Sequence, residues 1–351
     1  MKSDPRAFLA SIALATLAAV PVLAQEEAKH SIRLGLKAGD VLEYRTQVLR
    51  TTKVESPEAA ESQLDRTVWE TWEVKEAADG AIKIQITTKR ISEKVTGEAA
   101  YEFESEGADL EKRIKDEPEI APIAGLVGRS YTVTVSPEGE VRSVEGLDEY
   151  LAKVKEALAD LSGDSAKAVR DVLEKSFTTD AFRQALAPTF AYLTATPQAK
   201  GGTWTGTVRR DVSGVGTIVE ELPFTLADVD ATGKASVTYT AKATFEAAAE
   251  KPDAFKDVTF EVSEVQGSGS FDLDTKNGWT AGAKSELSWK VRMTLKTEPV
   301  LAVDQTVKET TTVVLEKGTH KEETPVDGEK KDEEKPADGE KKEEEKKEGD
   351  G

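Results

Sequence analysis

Apolar and polar residues alternate with a period of two through most of the chain. Between Lys234 and Ala247, the residues Ala235, Val237, Tyr239, Ala241, Ala243 and Phe245 share one parity, while Ser236, Thr238, Thr240, Lys242, Thr244 and Glu246 share the other. Gly278 to Lys296 repeats the pattern, with Trp279, Ala281, Ala283, Leu287, Trp289, Val291, Met293 and Leu295 in phase and Ser285 the one polar residue among them. Such alternation marks a strand with one face in a core and one in water. The second run is longer than an ordinary strand, so a bend or bulge is expected near Gly282. The same rule predicts strands at Ser31–Leu36, Val41–Lys53, Leu64–Val74, Ala81–Lys94, Ala99–Glu106, Ser130–Ser136 and Glu140–Val144. It continues through Thr203–Asp211, Thr217–Leu226, Val258–Gln266, Ser270–Asp274 and Thr306–Leu315. Turn residues separate many of them: Asp79-Gly80, Pro137-Glu138-Gly139, Thr232-Gly233 and Asn277-Gly278. Asp-Gly and Asn-Gly tolerate positive φ and favour tight hairpins, whose strands are necessarily antiparallel.

The middle of the chain has another period. Leu147, Tyr150, Leu151, Val154, Leu158 and Leu161 form a helical stripe. Asp164 or Ser165 caps a second predicted helix through Leu173. Thr178 or Thr179 caps a third that carries Phe182 and Leu186 and stops near Pro188. The expected fold class is therefore α+β, mainly antiparallel β: a large curved sheet or half-barrel with a central helical block at 147–193. Turns recur in the same order on both sides of that block, which suggests two related halves at about 30–146 and 201–315.

Both ends differ from this body. Lys2 and Arg6 precede an apolar run, Phe8 to Val20, that is too short to span a bilayer comfortably. Pro21 ends it, and Val22-Leu23-Ala24 offers a cleavage site, so 1–24 reads as a signal peptide rather than a membrane anchor. The protein is then exported, periplasmic or extracellular, with no membrane insertion after cleavage. Residues 316–351 are rich in Lys and Glu and nearly free of aliphatics, so they read as a disordered tail. That leaves 25–315 as one β-rich domain.

Composition narrows the chemistry. The 351 residues include no Cys, two His, 47 Lys and Arg and 66 Asp and Glu, for a net charge of −19. Thiolate chemistry, disulfides and a lipid-bearing Cys are excluded. So acidic a chain is repelled by nucleic acid. On this reading both histidines, His30 and His320, fall outside the folded body, which removes the commonest general base. Ser-x-x-Lys, Gly-x-Ser-x-Gly and the phosphate-cradling Gly-x-x-x-x-Gly-Lys are absent from the sequence. No catalytic, cofactor-binding or metal residue is assigned, and no cofactor is expected.

The remaining candidates each favour a plain reading. Glu220-Glu221 and Asp116-Glu117 read as solvated faces. Asp228-Val-Asp230-Ala-Thr232-Gly233 and Asp272-Leu-Asp274-Thr-Lys276-Asn277-Gly278 open like calcium loops but carry Tyr239 and Ala283 where a bidentate carboxylate is required. They fit hairpin turns better. Trp279 and Trp289 read as core; Trp69 and Trp72 have opposite parity, so one of them points outward. Gly267-Ser268-Gly269-Ser270 reads as a flexible turn.

Gly39-Asp40 before a strand with Tyr44, the block GRSYTVTVSPEGEVRSVEG from Gly128 to Gly146, the helical stretch and Gly201-Gly202-Thr203-Trp204 together resemble a family of secreted bacterial proteins, domain of unknown function 6263. That family carries no established activity, so the resemblance transfers no catalytic residue. The architecture is also similar to periplasmic carriers of the lipoprotein-localisation type, in which a curved sheet wraps helices around an apolar cavity. The function expected from all of this is a non-enzymatic binding or structural protein that takes an apolar, lipid-like ligand or an envelope protein as partner. The alternative is a carboxylate-dependent glycan hydrolase.

Overall fold

The computed structural model describes residues 28–56, 58–97, 100–106, 112–113, 120–152, 156, 178–211, 216–248, 256–296 and 300–320. The signal segment, most of the charged tail, the second predicted helix and the later part of the first lie outside them. Twelve strands form a single antiparallel sheet. In chain order they are β1 (Val41–Ser56), β2 (Ala60–Ala78), β3 (Ala81–Thr96), β4 (Tyr101–Glu104), β5 (Ser130–Val135) and β6 (Val141–Glu145). After the helical region come β7 (Thr203–Asp211), β8 (Gly216–Val229), β9 (Lys234–Ala247), β10 (Val258–Asp274), β11 (Trp279–Leu295) and β12 (Leu301–Thr319). The helices named among the described residues are α1 (Ala121–Ala124), α2 (Leu147–Tyr150) and α3 (Thr179–Phe190).

Strand order across the sheet is β6-β5-β3-β2-β1-β12-β11-β10-β9-β8-β7, with β4 on β3. The chain starts in the middle, meanders to one edge, crosses through the helical region to the other edge and meanders back. Its first and last strands then pair along their whole length. The sheet stays open, and α3 contacts both edge strands, β6 and β7. The helix thus fills the gap between two edges whose unpaired backbone would otherwise be exposed.

The strands form where alternation demanded them. In β3, Ile82, Ile84 and Ile86 are buried on one face, each worth about 1.5–3 kcal/mol of apolar burial. Asp79 and Gly80 both adopt positive φ and join β2 directly to β3. In β11 the ladder slips beside Gly282: Gly282 pairs with Asp272 and Thr280 with Leu273, which leaves Ala281 as the extra residue. Thr178 caps α3 by accepting a hydrogen bond from the Ala181 N–H at 3.1 Å. The helix continues past Pro188 to Phe190, two residues beyond the predicted stop.

Four expectations are corrected. Residues 31–36 alternate in burial but join no ladder. Their backbone runs across the end of the sheet, where Leu34 N–H donates to Pro137 O, Gly35 N–H to Gly278 O, and Thr194 N–H to Ile32 O. The two short strands expected on either side of Gly267-Ser268-Gly269-Ser270 are one strand, β10. A Cβ at Gly269 would lie 2.5 Å from the Tyr239 ring, so the glycine lets that ring lie across the strand.

The other two corrections concern the histidines. His30 forms an antiparallel bridge with Gln198. β12 runs on through Thr319, so Glu316 to Thr319 belong to the sheet rather than the tail, and His320 is held in the folded body. Its Nδ1 lies 2.8 Å from Oδ1 of buried Asp40, its Nε2 lies 2.7 Å from Oδ1 of Asn277, and its ring stacks on Trp279. Asn277 Nδ2 donates to Asp274, which aims the amide oxygen at the imidazole. His320→Ala strips a partner from a buried carboxylate and is expected to cost about 1–3 kcal/mol. A urea transition unmoved by the substitution would show that this clasp contributes nothing.

Candidate functional site

Between the sheet and α3 lies a cavity of about 300 Å³. Its walls come from residue pairs two apart on several strands, as the pleat requires: Tyr44 and Thr46 on β1, Glu70 and Trp72 on β2, Glu220 and Leu222 on β8, and Thr311 and Val313 on β12. The bulge in β11 places Thr280 and Ala283 on the same wall although their parities differ. Tyr131, Arg210, Tyr239, Phe271 and Ser285 complete the sheet side among the described residues. Ala185, Leu186, Pro188 and Thr189 of α3 cover it.

Aromatic contacts stiffen this wall. Tyr44 and Trp72 meet at 4.8 Å between ring centroids, and Trp72 packs on Phe190 at the end of α3. Tyr131, Tyr150 and Phe182 form an edge-to-face triangle that ties α2 and α3 to β5. On the other side, Phe224 touches Trp204, Tyr239 and Phe271, and Tyr192 stacks on Phe271 at 4.3 Å. Each such pair adds about 0.5–1.5 kcal/mol beyond its burial.

Two carboxyls line the cavity, and they are held differently. Glu220 is buried and accepts a hydrogen bond from Arg210 Nε at 2.9 Å. Glu70, among the described residues, has only the Trp72 indole N–H, at 3.3 Å. Among the described residues, no Lys or Arg forms an ion pair with it. Burial raises the Glu70 pKa above the ordinary carboxylate range, with the indole hydrogen bond acting weakly the other way. The surrounding hydroxyls respond in kind. Burial, then the neighbouring Glu70 and Tyr150, raises Tyr131. Burial pushes Tyr150 up to about 12, with Glu70 adding to the rise and the Thr88 hydrogen bond opposing it.

The sequence-derived candidates fall as follows. Glu220 is corrected from a solvated face to a buried cavity residue, because it stands in phase with Ile218, Leu222 and Phe224; Glu221 is exposed as expected. Asp116-Glu117 lies outside the described residues. Asp230 accepts from Thr232 and from the Lys234 N–H, and Asp274 accepts from Lys276 and Asn277, so both acids serve their own turns. Trp72 points inward and is buried. Trp69 lies on the opposite face with the Arg90 guanidinium 4.3 Å above its ring. Neither histidine lines the cavity. Among the described residues, no helix is long and apolar enough to cross a membrane. Glu70 and Arg210 were not singled out by the sequence. The available signal was a charged residue sitting in phase with an apolar stripe, as Glu70 does with Val68, Trp72 and Val74.

Comparison with known proteins adds a family but no activity. No curated protein matches the chain. A lipovitellin structure reported for its lipid–protein interactions is similar over 81% of this chain at 10% identity and a TM-score of 0.41; the match spans 26% of that chain. An outer membrane channel from Pseudomonas putida F1 covers 83% of this chain and 98% of its own at 6% identity and a TM-score of 0.23. The beta domain of the Bordetella autotransporter BrkA covers 77% and 98% at 7% identity and a TM-score of 0.18. Likeness at these scores carries no weight for function. The model of the Family of unknown function (DUF6263), by contrast, matches residues 79–280, more than half of the sequence, and the chain belongs to that family.

Proposed function

We propose that the chain is an exported, non-catalytic binding protein that takes a small, largely apolar molecule into the cavity beneath α3. The carrying observation is the cavity itself: aromatic and aliphatic walls with a few placed polar groups, covered by a helix lodged between the two sheet edges. That composition is the usual one for a small-molecule site. Its volume stands at the low end of such sites, which favours a compact occupant over a lipid with several acyl chains. Export is supported by the basic n-region, the short apolar run and the Val22-Leu23-Ala24 site.

Ethylnaphthalene, a neutral apolar probe, is expected to bind and to quench tryptophan fluorescence, since Trp72 lines the cavity. Native mass spectrometry of protein recovered from a cell-envelope preparation is expected to show an extra mass that organic solvent releases. Bare protein in repeated preparations, together with no binding of the probe, would refute this reading.

A glycan-hydrolase reading has one observation in its favour: two carboxyls, Glu70 and Glu220, share a cavity, and burial raises the pKa of Glu70. Acid–base hydrolysis needs both carboxyls available, and Arg210 occupies Glu220. No turnover on a broad glycan panel is the expected result. Turnover lost on Glu70→Gln would reverse it.

A further inference from the structure

Three buried carboxylates show how this protein holds an acid that it takes out of water. Glu93 is gripped by the Arg66 guanidinium and the Tyr101 hydroxyl. Glu220 is gripped by Arg210. Asp40 accepts from the Lys37 N–H at 2.7 Å and from His320. Each has a cation or at least two donors, as burial of a charge requires.

Glu70 breaks the pattern. It lies on β2 in phase with the core and faces the cavity, and among the described residues its one hydrogen bond is the long contact with Trp72. Half-buried on the cavity wall, it has neither the cation nor the second donor that each of those three has among the described residues. Its surroundings are aromatic. Tyr44 stands opposite it across the β1–β2 ladder, Trp72 follows two residues on, and the Tyr131 ring lines the same cavity. Ring faces attract cations through their quadrupole, most strongly where water is excluded. Carboxyl and rings therefore favour the same charge. The other charged pair on the cavity, Arg210 with Glu220, comes from β7 and β8 and is internally neutral.

We infer that the cavity selects an apolar molecule bearing a cationic nitrogen, an alkyl- or arylalkylammonium, with that nitrogen seated on Glu70 inside the ring wall of Tyr44, Trp72 and Tyr131. The inference rests on the reading of the cavity as a ligand site and names the class of ligand. The bound cation supplies the counter-charge that Glu70 lacks in the free protein. Burial raises the carboxyl's pKa, so wherever the free acid is still protonated, uptake of the ammonium releases a proton from Glu70. Affinity for the amine accordingly rises with pH as the free carboxyl ionises. The other titratable groups facing this point are the hydroxyls of Tyr44, Tyr131 and Tyr150, all raised by burial and neutral across that range.

The test compares naphthylmethylamine, ethylnaphthalene and naphthoate on the full chain by isothermal titration calorimetry. The amine is expected to bind about 10- to 100-fold more tightly than the hydrocarbon, the range of a charged hydrogen bond. In Glu70→Gln the amine-to-hydrocarbon affinity ratio is expected to fall toward one, and in Glu70→Asp, which keeps the charge, to fall less. Thermal melts of both variants check that each is folded. Repeating the amine titration in buffers of different ionisation enthalpy reads the released proton, which Glu70→Gln should abolish. An amine no tighter than the hydrocarbon, naphthoate tighter than both, or an amine advantage that survives Glu70→Gln each overturns the inference while leaving the cavity a ligand site. Failure of all three probes overturns the inference and the binding reading together.

Discussion

Gly278→Ala is expected to destabilise the protein by roughly 2–5 kcal/mol. Gly278 ends the β10–β11 turn at φ 70°, where a Cβ costs about 1–2 kcal/mol for conformation alone. The space is closed as well. A methyl group there would overlap the backbone nitrogen and Cα of Gly35, and backbone cannot rotate aside as a side chain can. Crowding of that kind adds about 1–3 kcal/mol. Relief requires the turn to lift away from the segment of residues 31–36. That breaks the 3.0 Å hydrogen bond from Gly35 N–H to Gly278 O and drags Asn277 from His320. One methyl group therefore loosens the contacts by which the segment near the N-terminus and His320 meet at this end of the sheet. The companion Gly35→Ala is the control. Its Cβ would lie 3.2 Å from Gly278 Cα with no positive φ to oppose it, so a smaller loss is expected. Urea transitions of the two variants measure the difference. A Gly278→Ala transition within about 0.5 kcal/mol of the parent, the range of an ordinary surface change, would mean that the two backbones do not touch in solution.

What the sequence made legible follows from the sheet's pleat. A period of two is local, so Ala81–Lys94 and Lys234–Ala247 could be read without knowing their neighbours, and Asp79-Gly80 names its own turn. Even the bulge beside Gly282 could be anticipated, because a run that long must bend. Pairing of β1 with β12 could not be, since nothing local links Tyr44 to Leu315 across the length of the chain. Ser31–Leu36 alternates like a strand because one side of it is buried, yet its hydrogen bonds go to turns. Burial sets alternation; the ladder is a separate requirement. His320 was misplaced because the last four residues of β12 are all exposed, so they carry no alternation to set them apart from the Lys- and Glu-rich tail. The cavity acids were missed for a different reason. Composition treats Glu220 as one of many acids, whereas parity places it beside Leu222 and Phe224. Glu70 is placed in the same way beside Trp72 and Val74. Reading each charged residue against the phase of its own strand recovers both.

Tyr192→Ala is expected to cost about 3–5 kcal/mol, the range for removing a buried aromatic ring, and to abolish ligand uptake. Tyr192 follows α3 by two residues and is fully buried. Its ring stacks on Phe271, its hydroxyl lies 2.6 Å from Thr280 Oγ1, and its carbonyl accepts from Trp204 Nε1 at 3.0 Å. Three strands, β7, β10 and β11, thus hold the end of the helix through one residue. Phe271 and Thr280 themselves line the cavity, so the ring that anchors the lid also fixes part of the floor. Removing it leaves a void beside Phe271 and frees the end of α3 from β10 and β11, while the Tyr192 carbonyl keeps its hydrogen bond from Trp204 on β7. Tyr192→Phe separates the two roles. It keeps the stack and the volume and deletes one hydrogen bond, for a loss of about 1 kcal/mol. If the ring positions the lid, Tyr192→Phe retains ethylnaphthalene binding and Tyr192→Ala loses it at urea concentrations where both are folded. Equal binding by the two variants would place the anchor of α3 elsewhere, on the Trp72–Phe190 contact and the Tyr131–Phe182 edge. The binding reading would then depend on those contacts instead.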